Sequence, residues 1–315
     1  MPNWSQISQE IAKEGSTFDI IRRKYIKQLS EYTSRNVIIY YSGWLQKSLD
    51  GVSVCDSDKN GLMTVIHQLD RTKGLDLILH TPGGETAATE SIVDYLHSIF
   101  GYNIRAFVPQ LAMSAGTMIA CACKEIYMGV QSSLGPIDPQ LGPIPAHGLV
   151  QEFNRAHDEI KNAFINAQSN PQDPSFLAEY QAKLATWQPI IAKYNPTLIG
   201  ECENAISWSN EMVKDWLSNG MFVDDKNKDK IIDKIIAELS NHSVSKSHAR
   251  HLSLKKCKEI GLKIAELEKD DTLQDLVLSI HHACIHTLSS TNALKIIENQ
   301  NGIAFIQSAQ FIQQR

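Results

Sequence analysis

Apolar positions along the chain switch between two periods. The β-branched and aromatic run "NVIIYYSGW" (36–44) predicts a strand. "GLDLILH" (74–80), "YNIRAFVP" (102–109) and "KEIYMG" (124–129) predict three more. Between them the spacing changes to that of helices. Residues 57–70 place Leu62, Val65, Ile66 and Leu69 on one face. Residues 86–99 carry the same period, an apolar helix opens at Ser114, and an amphipathic helix over 16–35 precedes the first strand. Strands alternating with helices at this spacing predict right-handed βαβ units and a mostly parallel sheet.

Beyond residue 150 the texture is helical. Apolar periodicity predicts helices over 148–168, 175–194, 203–218, 228–240 and 272–298, with no clear strand. The segment 219–250 is rich in charge and polar residues and is expected at the surface. The chain therefore divides into an α/β core over 16–150 and a mainly helical extension over 151–315, packed on that core.

Composition narrows the partners. A net charge of −5 over 315 residues gives no electrostatic footprint for nucleic acid. Six cysteines (Cys55, Cys121, Cys123, Cys202, Cys257 and Cys284) lie scattered, none in a CxxC pair, so neither a disulfide framework nor a zinc knuckle is expected. No apolar run approaches the roughly 20 residues that span a bilayer. The N-terminus lacks the basic-then-apolar order of a secretory signal. A soluble, cytoplasmic protein is the expectation.

Three short stretches carry the chemistry. "LHTPGGET" ends the second strand with two glycines, a plain turn or a pair of amides aimed at a developing oxyanion. "AMSAGT" places Ser114 at a helix start, as a cap or as a nucleophile. "SSLGPIDPQLGPIPAHG" (132–148) is a Pro/Gly-rich loop after the fourth strand. All three fall at the carboxyl edge of neighbouring parallel strands, where open α/β sheets bind ligands.

Together, "TPGGE", "AMSAGT" and "SSLGPIDPQ" resemble the Clp-fold serine proteases, in particular the serine dehydrogenase proteinase family, relatives of signal peptide peptidase A. "WQPIIAKYNPTLIGECENAI", "KSHARHLSLKKCKEIGLKI" and "QDLVLSIHHACIHTL" extend the likeness from about residue 16 to 306. The resemblance implies a Clp/crotonase fold of ββα units and an oligomer, as a ring or stacked assembly. It implies a serine endopeptidase that cleaves peptides or unfolded protein segments through an acyl-enzyme. Ser114 matches the family's nucleophile. Gly83, Gly84 and Ala115 match the amides of its oxyanion hole. No metal or organic cofactor is implied, and no GxGxxG follows a strand. No GxxxxGK[ST] is present either, so folded substrates would need a separate ATPase or adaptor.

The general base is open at this stage. Where Clp proteases carry a histidine, this loop reads "GPIDPQ", with Asp138 as a residue to orient the base or shape the pocket. His147 stands just before a helix, at a place where lysine-dyad relatives bring in their lysine. Lys161 lies mid-helix and Lys193 at a helix end; a neutral lysine base requires burial. "SHARH" places His248 and His251 beside Arg250, as a surface knot or an inter-subunit contact touching the site. His281, His282 and His286 in "SIHHACIHTL" lack the pattern of a zinc motif and read as packing or an oligomer contact. Trp187, Trp208 and Trp216 mark a helical layer that packs on the core, interlocks subunits or lines a peptide channel. The competing readings are a crotonase-like acyl-CoA enzyme and a degenerate scaffold or regulatory oligomer.

Overall fold

The computed structural model describes residues 4–13, 18–142, 144–240 and 247–309. Residues 16–17 of the first predicted helix and 241–246 of the polar segment lie outside this set. Helices α1 (Trp4–Lys13) and α2 (Phe18–Thr33) lead into β1 (Asn36–Ser42). Then follow α3 (Ser57–Ile66), β2 (Leu75–His80), α4 (Thr86–Phe100) and β3 (Ile104–Val108). The short β4 (Leu111–Ala112), α5 (Ala115–Cys121) and β5 (Glu125–Met128) complete the alternating part. Strands β5, β3, β2 and β1 are parallel neighbours in that order. The helix–strand period is thus read correctly from the sequence, with boundaries a few residues shorter.

Both faces of this sheet are covered, which is why its strands are nearly continuous apolar runs. Ile38, Tyr40, Leu77, Leu79, Ala106 and Val108 point into one core with α3, α4 and α5. Val37, Ile39, Tyr41, Ile78 and Phe107 point into the other, beneath α2. Asp76 interrupts the second face and is fully buried, but Arg35 Nε lies 2.7 Å from its Oδ1 and Arg105 Nη2 2.6 Å from its Oδ2. Buried charge is tolerated where it is paired in this way.

Two-residue strands β6 (Ser133–Leu134), β7 (Gln140–Leu141) and β8 (Ile144–Pro145) follow. Next come the long helices α6 (Ala146–Ser169), α7 (Pro174–Ile191), α8 (Leu198–Asn219) and α9 (Lys228–Ser240). Strand β9 (Leu252–Ser253) joins β4 and β6 in a second, three-stranded sheet. After α10 (Leu254–Ile260), β10 (Ile264–Glu266) adds to the edge of the main sheet beside β5. Helix α11 (Asp271–Ser290) packs with α2, and β11 (Ala293–Asn299) and β12 (Ala304–Ser308) close the other edge, antiparallel.

The C-terminal half is therefore not free of strands. Three of the seven strands in the main sheet come from it. The helix predicted over 272–298 stops at Ser290, and its last residues form β11. Lys295 and Glu298 gave β11 the look of a solvated helix face, yet both are fully buried and paired, with Asp58 and Arg22 respectively.

His80, at the end of β2, is wholly buried with Tyr41, Trp44 and His281, its ring centroid 5.4 Å from those of Tyr41 and His281. Burial pushes the His80 pKa down from 6.5 to about 4, with the nearby Leu111 backbone opposing the shift. His281 is lowered too, by burial and then by His80 and His282. A histidine depressed in the folded state binds its proton first in the unfolded chain, so stability falls as pH drops through this window. From pH 6.5 down to about 4, His80 alone is expected to remove about 3 kcal/mol. Urea unfolding across that range checks this. The His80→Gln variant is expected to show a flatter profile, and an unchanged profile would assign the loss to other groups.

Candidate active site

The site is built where strands of the two sheets meet. Thr81, directly after β2, pairs with Ala112 of β4. Its N–H donates to the Leu111 carbonyl at 3.1 Å, and the Met113 N–H donates to the Thr81 carbonyl at 3.0 Å. This lays the turn after β2 against the turn after β4. Ser114 stands on the second turn with φ 49° and ψ −113°. Such a conformation is strained for any residue with a Cβ and occurs where the surrounding structure over-determines it. A serine held on a sharp strand-to-helix turn of this kind presents its hydroxyl outward from the sheet edge. Ser114 makes no side-chain capping hydrogen bond to α5. The capping role leaves its geometry unexplained.

The two glycines lie against this serine. Gly83 has φ +97°, and a Cβ there would come 2.6 Å from the Ser114 Cβ and 2.9 Å from the Ala115 nitrogen. At Gly84 a Cβ would come 2.2 Å from the Val54 carbonyl oxygen. Any side chain at either position collides with backbone or with the serine itself. The Gly83 N–H donates to Thr81 Oγ1 at 3.2 Å, and the Gly83 carbonyl accepts from the Val54 N–H at 2.8 Å. The Gly84 N–H belongs to the same peptide as that carbonyl. In a trans peptide the two point opposite ways, so the Gly84 N–H is turned away from Val54. Ala115 is the first residue of α5, where an N–H has no carbonyl one turn back to bond.

Asp138 and His248 reach the same place through β6 and β9. In that antiparallel pair Ser133 faces Ser253 and Leu134 faces Leu252. The same register carried four residues further puts Asp138 opposite His248. The side chains meet there, with His248 Nδ1 2.9 Å from Asp138 Oδ1. Asp138 is fully buried and the His248 side chain is 26% exposed. A carboxylate only accepts hydrogen bonds, so Nδ1 is the donor in this contact, and in the neutral ring the lone pair is then on Nε2. Thr117 on α5 ties the loop down: its Oγ1 donates within reach of the Ala112 and Gly135 carbonyls and accepts from the Gly135 N–H at 2.9 Å.

Ser114, His248, Gly83 and Gly84 line one cavity of about 510 Å³, together with Ser53, Glu85, Met118, Ile137 and Gln140. The three sequence-derived base candidates are not among the residues that line it. Lys161 is exposed and borders a separate apolar cavity between α6 and α7, with Phe153, Phe164 and Tyr180. Lys193 is exposed just past the end of α7. His147 is half-buried in the first turn of α6 and is not among the residues lining the Ser114 cavity. A neutral lysine base needs desolvation, which neither lysine has. Sequence reasoning kept His248 outside the base candidates, because β9 is only two residues long and His248 lies 110 residues beyond Asp138.

Among the described residues no group of three His, Cys, Asp or Glu side chains could hold a metal ion. Among them, too, no helix is long and apolar enough to cross a membrane.

Fold and site define a class: a ClpP-like α/β protein with a strained serine above a Gly-Gly turn. Residues 14–168 match the model of the ClpP-like SDH-type serine proteinases, and through that segment the chain is similar to this family. Two proteins of Methanocaldococcus jannaschii are also similar, both described as uncharacterized. MJ0137 is 35% identical over 136 residues, 42% of this chain and 47% of that protein. MJ1495 is 32% identical over 105 residues, 33% of this chain and 36% of that protein. The chain thus spans less than half the length of either curated relative.

Proposed function

We propose that the protein is a serine endopeptidase acting on peptides or unfolded protein segments. The observation that carries this reading is the His248–Asp138 hydrogen bond at the cavity that Ser114 lines. Ser114 Oγ attacks the scissile carbonyl carbon while His248 Nε2 takes its proton. The carbonyl oxygen, now negative, is held by the N–H groups of Gly84 and Ala115. The imidazolium then protonates the leaving amine as the C–N bond breaks, and water releases the acyl group by the reverse sequence. Asp138 keeps Nδ1 protonated and the ring aimed. No step requires a metal or an organic cofactor.

The same reading includes self-assembly. Helix α7 runs for 18 residues without one buried side chain, and Leu177 and Leu184 are exposed on it. Phe164 and Ile165 of the adjacent α6 are exposed as well. Apolar area of this kind on a helical arm suits burial against a further copy of the chain.

A fluorophosphonate tests the chemistry, because an activated serine oxygen displaces its fluoride and is left phosphonylated. Intact mass is expected to show one adduct per chain, and peptide mapping to locate it on Ser114. An adduct elsewhere, or none, would overturn the assignment.

A further inference from the structure

Lys295 of β11 and Asp58 of α3 form a buried pair that the peptidase chemistry does not touch. Both side chains are fully buried, with Nζ 2.6 Å from Oδ1. The same Nζ donates to the Ser53 carbonyl at 2.8 Å. The second carboxylate oxygen, Oδ2, accepts from Tyr40 Oη at 2.6 Å and from the Cys55 N–H at 3.0 Å. Ser53 and Cys55 flank Val54, so the pair grips the chain on both sides of it. One residue earlier, Ser42 Oγ holds the Val52 carbonyl at 2.5 Å.

Val54 is the residue against which the Gly-Gly turn is laid. Its N–H donates to the Gly83 carbonyl at 2.8 Å, and its carbonyl accepts from the Glu85 N–H at 2.9 Å. The first bond holds the Gly83–Gly84 peptide by its carbonyl and so decides which way it faces; the second anchors the next peptide, Gly84–Glu85. Between two glycines a peptide can turn over with little steric penalty, so its orientation has to be imposed from outside. Turned over, it would present its carbonyl oxygen where the Gly84 N–H now faces, and repel an oxyanion. An apolar pair could fill the volume of Lys295 and Asp58. It could not hold the Ser53 carbonyl and the Cys55 N–H.

We propose that Lys295 and Asp58 are positioning residues for the oxyanion hole, fixing the Gly83–Gly84 peptide through the clamped segment 53–55. The inference rests on the peptidase reading of this site. It concerns the transition state and the tetrahedral intermediate, since the bound substrate carries no oxyanion.

The test is the charge-neutral double variant Lys295→Met/Asp58→Asn, in which the Asn oxygen still accepts from Tyr40 and Cys55. Cooperative unfolding is expected to persist. The kcat for a peptide substrate should fall about ten- to a hundredfold with KM within about twofold. A peptide aldehyde, which builds the tetrahedral oxyanion on Ser114, should lose affinity by the same factor. Wild-type kcat and aldehyde affinity in the double variant would overturn the inference, as would a change confined to KM. If the double variant fails to fold, Tyr40→Phe decides. It keeps both charges and removes one bond to Asp58, and should show the same pattern at about two- to fivefold; wild-type behaviour would overturn the inference. Should the wild-type protein neither hydrolyse peptides nor take up fluorophosphonate, the peptidase reading fails and this inference with it. Should it do both while the variants match it, the inference alone fails.

Discussion

Ser114→Ala is expected to lower kcat for peptide hydrolysis by a factor on the order of ten thousand to a million, with KM nearly unchanged. The size follows from what the hydroxyl does: without it there is no acyl-enzyme, and only the oxyanion amides and substrate binding remain. A loss of that size corresponds to about 5 to 8 kcal/mol of transition-state stabilisation. His248→Ala is expected to cost a comparable factor, because an unactivated serine hydroxyl is a weak nucleophile. The two losses should not add. Ser114→Ala/His248→Ala is expected to match the worse single variant, since both residues act in one proton transfer. Steady-state kinetics on the three variants measure this. Full additivity would mean that His248 acts on something other than Ser114. Folding should survive Ser114→Ala: the residue makes no capping bond, and alanine removes only the hydroxyl from a backbone already held at φ 49°.

Much of this architecture was legible because its strands are buried on both faces. Runs such as Val37–Tyr41 and Leu77–Leu79 leave no polar position to mislead the eye. The same logic explains the failure at β11. Lys295 and Glu298 are spaced like the wet face of a helix, but each meets its opposite charge inside the core. A sequence does not distinguish a solvated lysine from one paired with Asp58, 237 residues away. The small sheet was illegible for a different reason. Strands β4, β6 and β9 are two residues each, too short to show any period, and their pairing is set by Thr81, Thr117 and the main sheet. Ser114 and the glycines could be found because strain and close approach demand particular residue types. His248 could not be singled out, since a histidine is as admissible in a surface knot as in a site. Only the β6–β9 register gives it a partner.

That register is what makes Asp138 the more demanding test of the mechanism. Asp138→Asn keeps the shape of the side chain and an oxygen for hydrogen bonding, but its amide can now donate to Nδ1. The imidazole is then free to carry its proton on Nε2, the nitrogen that must accept one from Ser114. A wrong tautomer in an intact site is expected to reduce kcat about a thousand- to ten-thousandfold, with substrate binding preserved. The variant should take up fluorophosphonate correspondingly slowly, while nitrogen-15 spectra of the histidines show the tautomer change. Asp138 is fully buried, so some stability will be lost as well, and thermal unfolding separates that loss from the kinetic one. His147→Ala, Lys161→Ala and Lys193→Ala, measured alongside, are expected to stay within about twofold of wild type, as residues outside the reacting groups do. A wild-type rate in Asp138→Asn, together with a large loss in one of those three, would move the base away from His248 and leave the 2.9 Å hydrogen bond as a tie between β6 and β9 alone.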